Sequence, residues 1–390
     1  MRLMFKTTAC LALALAGCSA ADSGSGSAGQ TVILAPAPVA PAVMGTHGAI
    51  VSYFEGSFSV ATRTMSIVYR APAGELQPQG GIPIPPSGSG PTATVTMHTA
   101  GGTGYDTAEG CQAKSLCGNV QAVNGFSVPA TFYAYIDSTV PSGMTGGPWE
   151  YLNVAANSSS SVQQWDLLDV SATDFHFSGH TEVVFANCKV LHTILPAVGS
   201  GVTEINPGLN TIPAYCDMTT AGGGWTQVFD ENVDYPSFQA GYRSDWLSGV
   251  ATTPPNGGQY SILNVLGASG AALKGAADYE FLFDWGSGGS LQWLQTDNPM
   301  AIMDVSPSGL SVLAQNPAGI AQTGTGCGSF AGLYKSNNGS AVMNADNNHG
   351  CWYFAVGDTA GWPGTVGGVG IPAYSNNNNP AMAEAKLYVR

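Results

Sequence analysis

Three consecutive glycines run into a tryptophan at Gly222–Trp225, the end of the stretch YCDMTTAGGGW that begins at Tyr215. Glycine loses more conformational freedom on folding than any other residue. A folded chain therefore keeps three in a row where backbone takes φ > 0 or passes close to another group. The tryptophan directly after predicts a return into a core, with the indole packed against main chain. Cys216 lies inside the stretch and Cys188 lies upstream, a separation that suits a disulfide closing a β-rich loop.

Charged residues make up only 9% of the 390, while glycine reaches 52 and serine, threonine and asparagine are plentiful. That balance predicts a mainly β, loop-rich extracellular protein with some α. The formal net charge is −14, with only 11 lysines and arginines. Nothing so poor in cations can neutralise a run of phosphates, so nucleic acid is excluded as a partner. Two readings of the acidity stand: solubility alone, or cation binding.

Residues 1–18 begin with a short basic region, Arg2 and Lys6, followed by the apolar run Leu11–Ala16, too short to span a bilayer. The end, Leu15-Ala16-Gly17-Cys18, resembles a bacterial lipobox. That resemblance implies a signal peptide cut before Cys18, a lipidated Cys18, and an acyl-anchored protein of the bacterial cell envelope. Ser19, in place of aspartate, suits outer-membrane sorting and display at the cell surface. An ordinary secretory signal with an incidental cysteine is the alternative. Residues 19–45 are rich in Ser, Gly, Ala and Pro and read as a tether.

Residues 46–187 alternate between short apolar segments and Gly/Pro/Ser turns. Ala49–Val60, Thr64–Tyr69, Thr92–His98, Phe126–Ile136 and Thr181–Phe185 read as strands, which predicts an antiparallel β-sandwich. His176 and His180 fall on one face of a strand, without an evident third metal ligand; the plain reading is half-buried histidines. Past the signal and Cys18, six cysteines remain: Cys111, Cys117, Cys188, Cys216, Cys327 and Cys351. An even number in an exported chain reads as disulfides, and neighbours in sequence give 111–117, 188–216 and 327–351. A zinc site needs closer cysteine spacing than any of these.

The stretch at 215–225, with its cysteine upstream, resembles the opening of a fibrinogen C-terminal-like domain, the module of fibrinogen, ficolins and, more distantly, intelectins. The close of the chain, Glu384–Arg390, resembles the final strand of that module. The resemblance covers 188–390, with its specific motifs at the two ends, and implies an α+β recognition head following the sandwich. It also implies a ligand site at Asn344–Asp358, NADNNHGCWYFAVGD. Asn344, Asp346, Asn347, Asn348, His349 and Asp358 would hold calcium or ligand, and Trp352 and Tyr353 would form an aromatic wall. The residue types support this independently. Calcium takes six to eight oxygens from carboxylates, amides and carbonyls on a flexible loop, and an aromatic face suits a sugar ring or acetyl methyl. Two features depart from the family pattern: Asp346 stands alone where the family's calcium loop has several closely spaced acids, and Cys351 precedes the aromatic pair with no cysteine after it. An Asn-rich turn bonding to its own backbone is the competing reading.

No phosphate-binding loop, zinc-protease motif or nucleophile elbow occurs. The sequence therefore reads as a non-enzymatic, lipid-anchored, two-domain protein. Its head would bind a glycan or an acetylated surface polymer with calcium, singly or as an oligomer that multiplies weak sites. A metal-free protein-binding adhesin is the second reading, and an envelope hydrolase carrying an accessory head is the third.

Overall fold

The computed structural model describes residues 44–59, 64–70, 94–99, 116–138, 144–145, 147–161, 163–167, 174–208, 210–232, 246–247, 255, 258–316, 318–319, 321, 329–337, 341–346, 354, 356–358 and 384–390. Cys18, Cys111, Cys327 and Cys351, and the tether up to residue 43, lie outside them. Among the described residues no helix is long and apolar enough to cross a membrane.

The chain is mainly β with some α. In the first part, β1 (Ala49–Ser59), β2 (Thr64–Arg70), β5 (Ala130–Ile136), β7 (Trp149–Val154) and β10 (Phe175–Val184) form one sheet in the order β2-β1-β10-β5-β7. A second sheet holds β3 (Thr94–Thr99), β4 (Leu116–Asn124), β9 (Gln163–Leu167) and β6 (Met144–Thr145), with β8 (Ser158–Ser159) beside β4. All pairings in both sheets are antiparallel. Val120 and Ala122 of the second share a core with Phe54, Phe132 and Phe177 of the first.

The segment Phe126–Ile136 is not one strand, because Asn124 ends β4 and closes a turn. Its amide Nδ2 donates to the carbonyls of Val128, Val154 and Ala155, and its Oδ1 accepts the N–H of Phe126. A buried side chain satisfied by four partners outweighs the strand preference of its neighbours, and β5 begins only at Ala130.

Helix α1 (Cys188–Ile194) follows, with Asn187 as its N-cap accepting from Val190 N–H at 2.8 Å. Cys188 is joined by a disulfide to Cys216, as the cysteine spacing predicted, with Cα atoms 5.4 Å apart. An eight-stranded antiparallel sheet then runs β11-β12-β13-β21-β15-β16-β17, with β14 beside β13. Its strands are β11 (Gly201–Ile205), β12 (Ile212–Asp217), β13 (Trp225–Asn232), β14 (Gln259–Ser261), β15 (Tyr279–Asp284), β16 (Ser290–Gln295), β17 (Ser311–Asn316) and β21 (Glu384–Val389). Helix α2 (Leu263–Leu273) packs Leu263, Leu266 and Leu273 into the core.

Strand β15 is covered on both faces. Phe281 and Phe283 enter the main core, while Leu282 turns to a smaller cluster with Trp225 and Tyr388. A three-stranded sheet of β18 (Phe330–Lys335), β19 (Ala341–Asp346) and β20 (Val356–Asp358) docks through Gln295. That buried amide accepts from Trp293 Nε1 and Leu333 N–H, and donates to the carbonyls of Asp297 and Leu333. Residues 39–390 form one compact unit with a continuous core.

Candidate functional site

The Asn-rich segment predicted to bind ligand leaves the end of β19. Asp346 stands opposite Phe330 on β18. Phe354, at the far end of the segment, is fully buried against Phe330 and Trp285, with ring centroids 5.1 and 6.3 Å apart. The residues on either side, Asp346 in β19 and Phe354, are thus held by a strand and by aromatic rings, while Asn347, Asn348, His349, Trp352 and Tyr353 lie outside the described residues. Loops carried on such rigid roots are where proteins place binding residues.

Two candidate ligands stand elsewhere. Asn344 is buried in β19, and its Oδ1 already accepts the N–H of Ala345 at 2.7 Å. Its Nδ2 has no partner among the described residues. Asp358 pairs with Ala341, at the opposite end of β19 from Asp346. Five residues of extended strand separate the two backbones by about 17 Å. Asp346 and Asp358 are therefore not brought together. Among the described residues, no group of three or more His, Cys, Asp or Glu is placed to hold a metal ion.

The glycine triplet serves architecture. Ala221, Gly222, Gly223 and Gly224 have φ of 46°, 89°, 69° and 77°, four left-handed residues in succession. A Cβ on Gly223 would lie 2.2 Å from the Met218 carbonyl oxygen, so only glycine fits. The turn is closed by Asp217, whose Oδ1 accepts from Thr219 N–H and Oγ1 and from Thr220 N–H, at 2.8, 3.0 and 3.0 Å. Trp225 Nε1 donates to the Thr220 carbonyl at 2.7 Å.

The carbonyls the turn exposes receive Arg390. Its Nη1 donates to Ala221 O and Gly223 O at 3.0 and 2.7 Å, and Nε and Nη2 bind Glu280 at 2.9 and 2.6 Å. The guanidinium carbon sits 4.1 Å from the Trp225 ring centroid. Burial pushes the Glu280 carboxyl up, but the Arg390 and Gln292 hydrogen bonds outweigh it and hold it below the usual carboxylate range.

A third cluster draws on residues far apart in the chain. Glu182 on β10 is fully buried, and its carboxylate accepts the backbone N–H groups of Thr46, His47 and Gly48 at 2.7, 2.6 and 2.9 Å. His180 Nε2 donates to Glu182 at 3.0 Å, and its Nδ1 lies 2.7 Å from Asp137. Burial alone would push Glu182 up; the His180 bond and the three backbone donors reverse this and bring it to about 2. Burial likewise lowers His180, but bonds to Glu182 and Asp137 outweigh it and raise the imidazole above its ordinary value. With a carboxylate against each ring nitrogen, the surroundings of His180 favour the imidazolium, the form that donates at both positions.

Tyr135 stacks on His180 with centroids 5.0 Å apart, His47 stacks on Tyr133 at 4.3 Å, and His47 Nδ1 lies 2.8 Å from Glu204 on β11. The cluster ties the segment entering the fold to both β10 and β11. Sequence reading singled out His180 but not its partners. The available signal was the His180–Glu182 alternation on one strand face; Asp137, His47 and Glu204 are joined to it only by folding.

No protein-family model matches this chain, and no curated protein matches it either. Among solved structures, the fibrinogen-like globe domain of human ANGPTL6 is similar, at 17% identity and a TM-score of 0.32, over 53% of this chain and 95% of that one. A likeness of that degree assigns neither family nor ligand.

Proposed function

We propose that this chain is a surface recognition protein of the bacterial envelope. It is anchored through lipid on Cys18 and binds a carbohydrate or acetylated glycan without catalysis. The reading rests on the fibrinogen-like motif at 215–225. The observation that carries it to a site is the rooting of the 347–353 segment between Asp346 and buried Phe354. In this reading Asp346 and the side-chain and carbonyl oxygens of Asn347, Asn348 and His349 hold calcium, which takes oxygen ligands from flexible loops. Trp352 and Tyr353 face the sugar. Asn344, buried in β19, and Asp358 stand outside this set.

The test is thermal unfolding of the full chain, disulfides intact, with and without millimolar calcium, repeated on Asp346→Ala. A ligand that binds only the folded state raises the melting temperature. The expected result is a rise in the parent chain that the substitution abolishes, together with glycan binding that a chelator reverses. No rise with calcium would remove the cation mechanism. Retention of a protein partner in the presence of both chelator and free sugar would favour the adhesin reading.

A further inference from the structure

Of the seven exposed large apolar side chains among the described residues, five fall between Met303 and Leu313. Met303 is 52% exposed, Val305 60% and Leu313 47%, with Leu310 and Val312 above a third. Singly exposed apolar residues need no explanation, but five within eleven positions mark a surface kept for contact. These residues run into β17, which among the described residues pairs with β16 alone and ends the eight-stranded sheet. Its outer row of N–H and C=O groups therefore faces away from the sheet.

Natural edges are guarded by charge, proline, bulges or covering segments. β17 reads Ser-Val-Leu-Ala-Gln-Asn, with no charge and no proline; its one irregularity is the bulge at Leu313. No charged residue occurs between Asp304 and Lys335. The register shift opposite Gln292 and Trp293 leaves Leu313 without a partner on β16, and its side chain projects outward.

We propose that β17 is a self-association edge, on which β17 of a second copy of this chain pairs antiparallel about a two-fold axis. Electrostatics selects this occupant. With a net charge of −14, two copies repel wherever their charged faces meet, and a basic partner would be drawn to the acidic surface instead. A neutral apolar edge matches a neutral apolar edge, and each copy brings one. The strand is compatible with itself. With the axis between Leu313 and Ala314, Ser311 meets Asn316, Val312 meets Gln315 and Leu313 meets Ala314, so no like charges or prolines oppose each other. Met303, Val305 and Leu310 flank the seam. This association is independent of the calcium loop.

Sedimentation equilibrium of the full chain, from micromolar to sub-millimolar concentration, tests the proposal. The parent chain is expected to show a monomer–dimer equilibrium. Val312→Lys and Leu313→Lys each place two cations across the seam and should weaken dimerisation at least tenfold. Val202→Lys, at an exposed apolar site on β11, should leave it unchanged. Melting temperatures of the three variants check that each folds. Should a lysine variant fail that check, Ala314→Cys is the second probe: it should form a disulfide between copies, and Val202→Cys should not. A monomer at every concentration overturns the proposal. So does a dimer indifferent to both lysines, or one that Val202→Lys dissolves equally.

Discussion

Glu182→Gln removes one negative charge from a site where four donors converge. The carboxyl falls from its ordinary 4.5 to about 2. That shift corresponds to roughly 3 kcal/mol of stability at neutral pH. The sign follows from the direction. A depressed folded-state pKa stabilises above the unfolded value, here 4.5, and the contribution fades as pH falls towards 2. His180 is raised, so its share is complete below its ordinary 6.5 and is lost as pH climbs through the higher folded value. The donors of Thr46, His47 and Gly48 report the effect directly through amide hydrogen exchange. At about pH 6, with intrinsic rates divided out, their protection should drop by up to roughly a hundredfold in the variant, since glutamine retains one acceptor oxygen. Near pH 2 the parent chain should approach the variant. Equal protection at pH 6, or an undiminished difference in acid, would refute the account of Glu182 as an ionised anchor.

Two further outcomes follow from buried positions at and beside β13. Gly223→Ala forces a side chain to φ 69° and into the Met218 carbonyl, so it should cost at least about 2 kcal/mol, read as a lowered denaturant midpoint with altered Trp225 fluorescence; an unchanged midpoint would show that the turn adapts. Burial raises Asp230 to about 6 from 3.8, against the attraction of Lys386 and the Gly258 N–H. A raised acid destabilises the fold progressively as pH rises from 3.8 to 6, so Asp230→Asn should gain up to about 3 kcal/mol at pH 7 and nothing below pH 4. Melting temperature against pH checks this, and a loss at pH 7 would mean that the Lys386 pairing dominates.

How far the sequence foretold these features depends on whether a local pattern or a distant partner decides them. The strands at 49–59 and 64–70 were legible because alternation of apolar residues is a local signal. β4 was missed because Gly118, Asn119, Gln121 and Asn124 dilute its pattern, and the false extension of β5 to Phe126 came from the contacts Asn124 makes across the sheet. Strand β14 gives way to helix at Leu263, where the Ser261 hydroxyl donates to the Trp246 carbonyl, a partner that no local pattern announces. In the candidate site the residue types around Asp346 were legible, but the placing of Asp358 at the far end of β19 is a matter of register. The anchor at Glu182 required three segments to meet, and no window on the sequence contains them.

The position of β21 has a consequence for how this protein is made. The strand lies between β13 and β15, so two halves of a sheet depend on residues 384–390 for their join, and Arg390 closes contacts with carbonyls 169 and 167 positions earlier. While a ribosome is still making those residues, β13 has no neighbour on that side, and the cage at Ala221–Gly223 stands open. The eight-stranded sheet therefore closes only after synthesis has passed β21. The step that locks the sheet is thus withheld until residues 384–390 have left the ribosome.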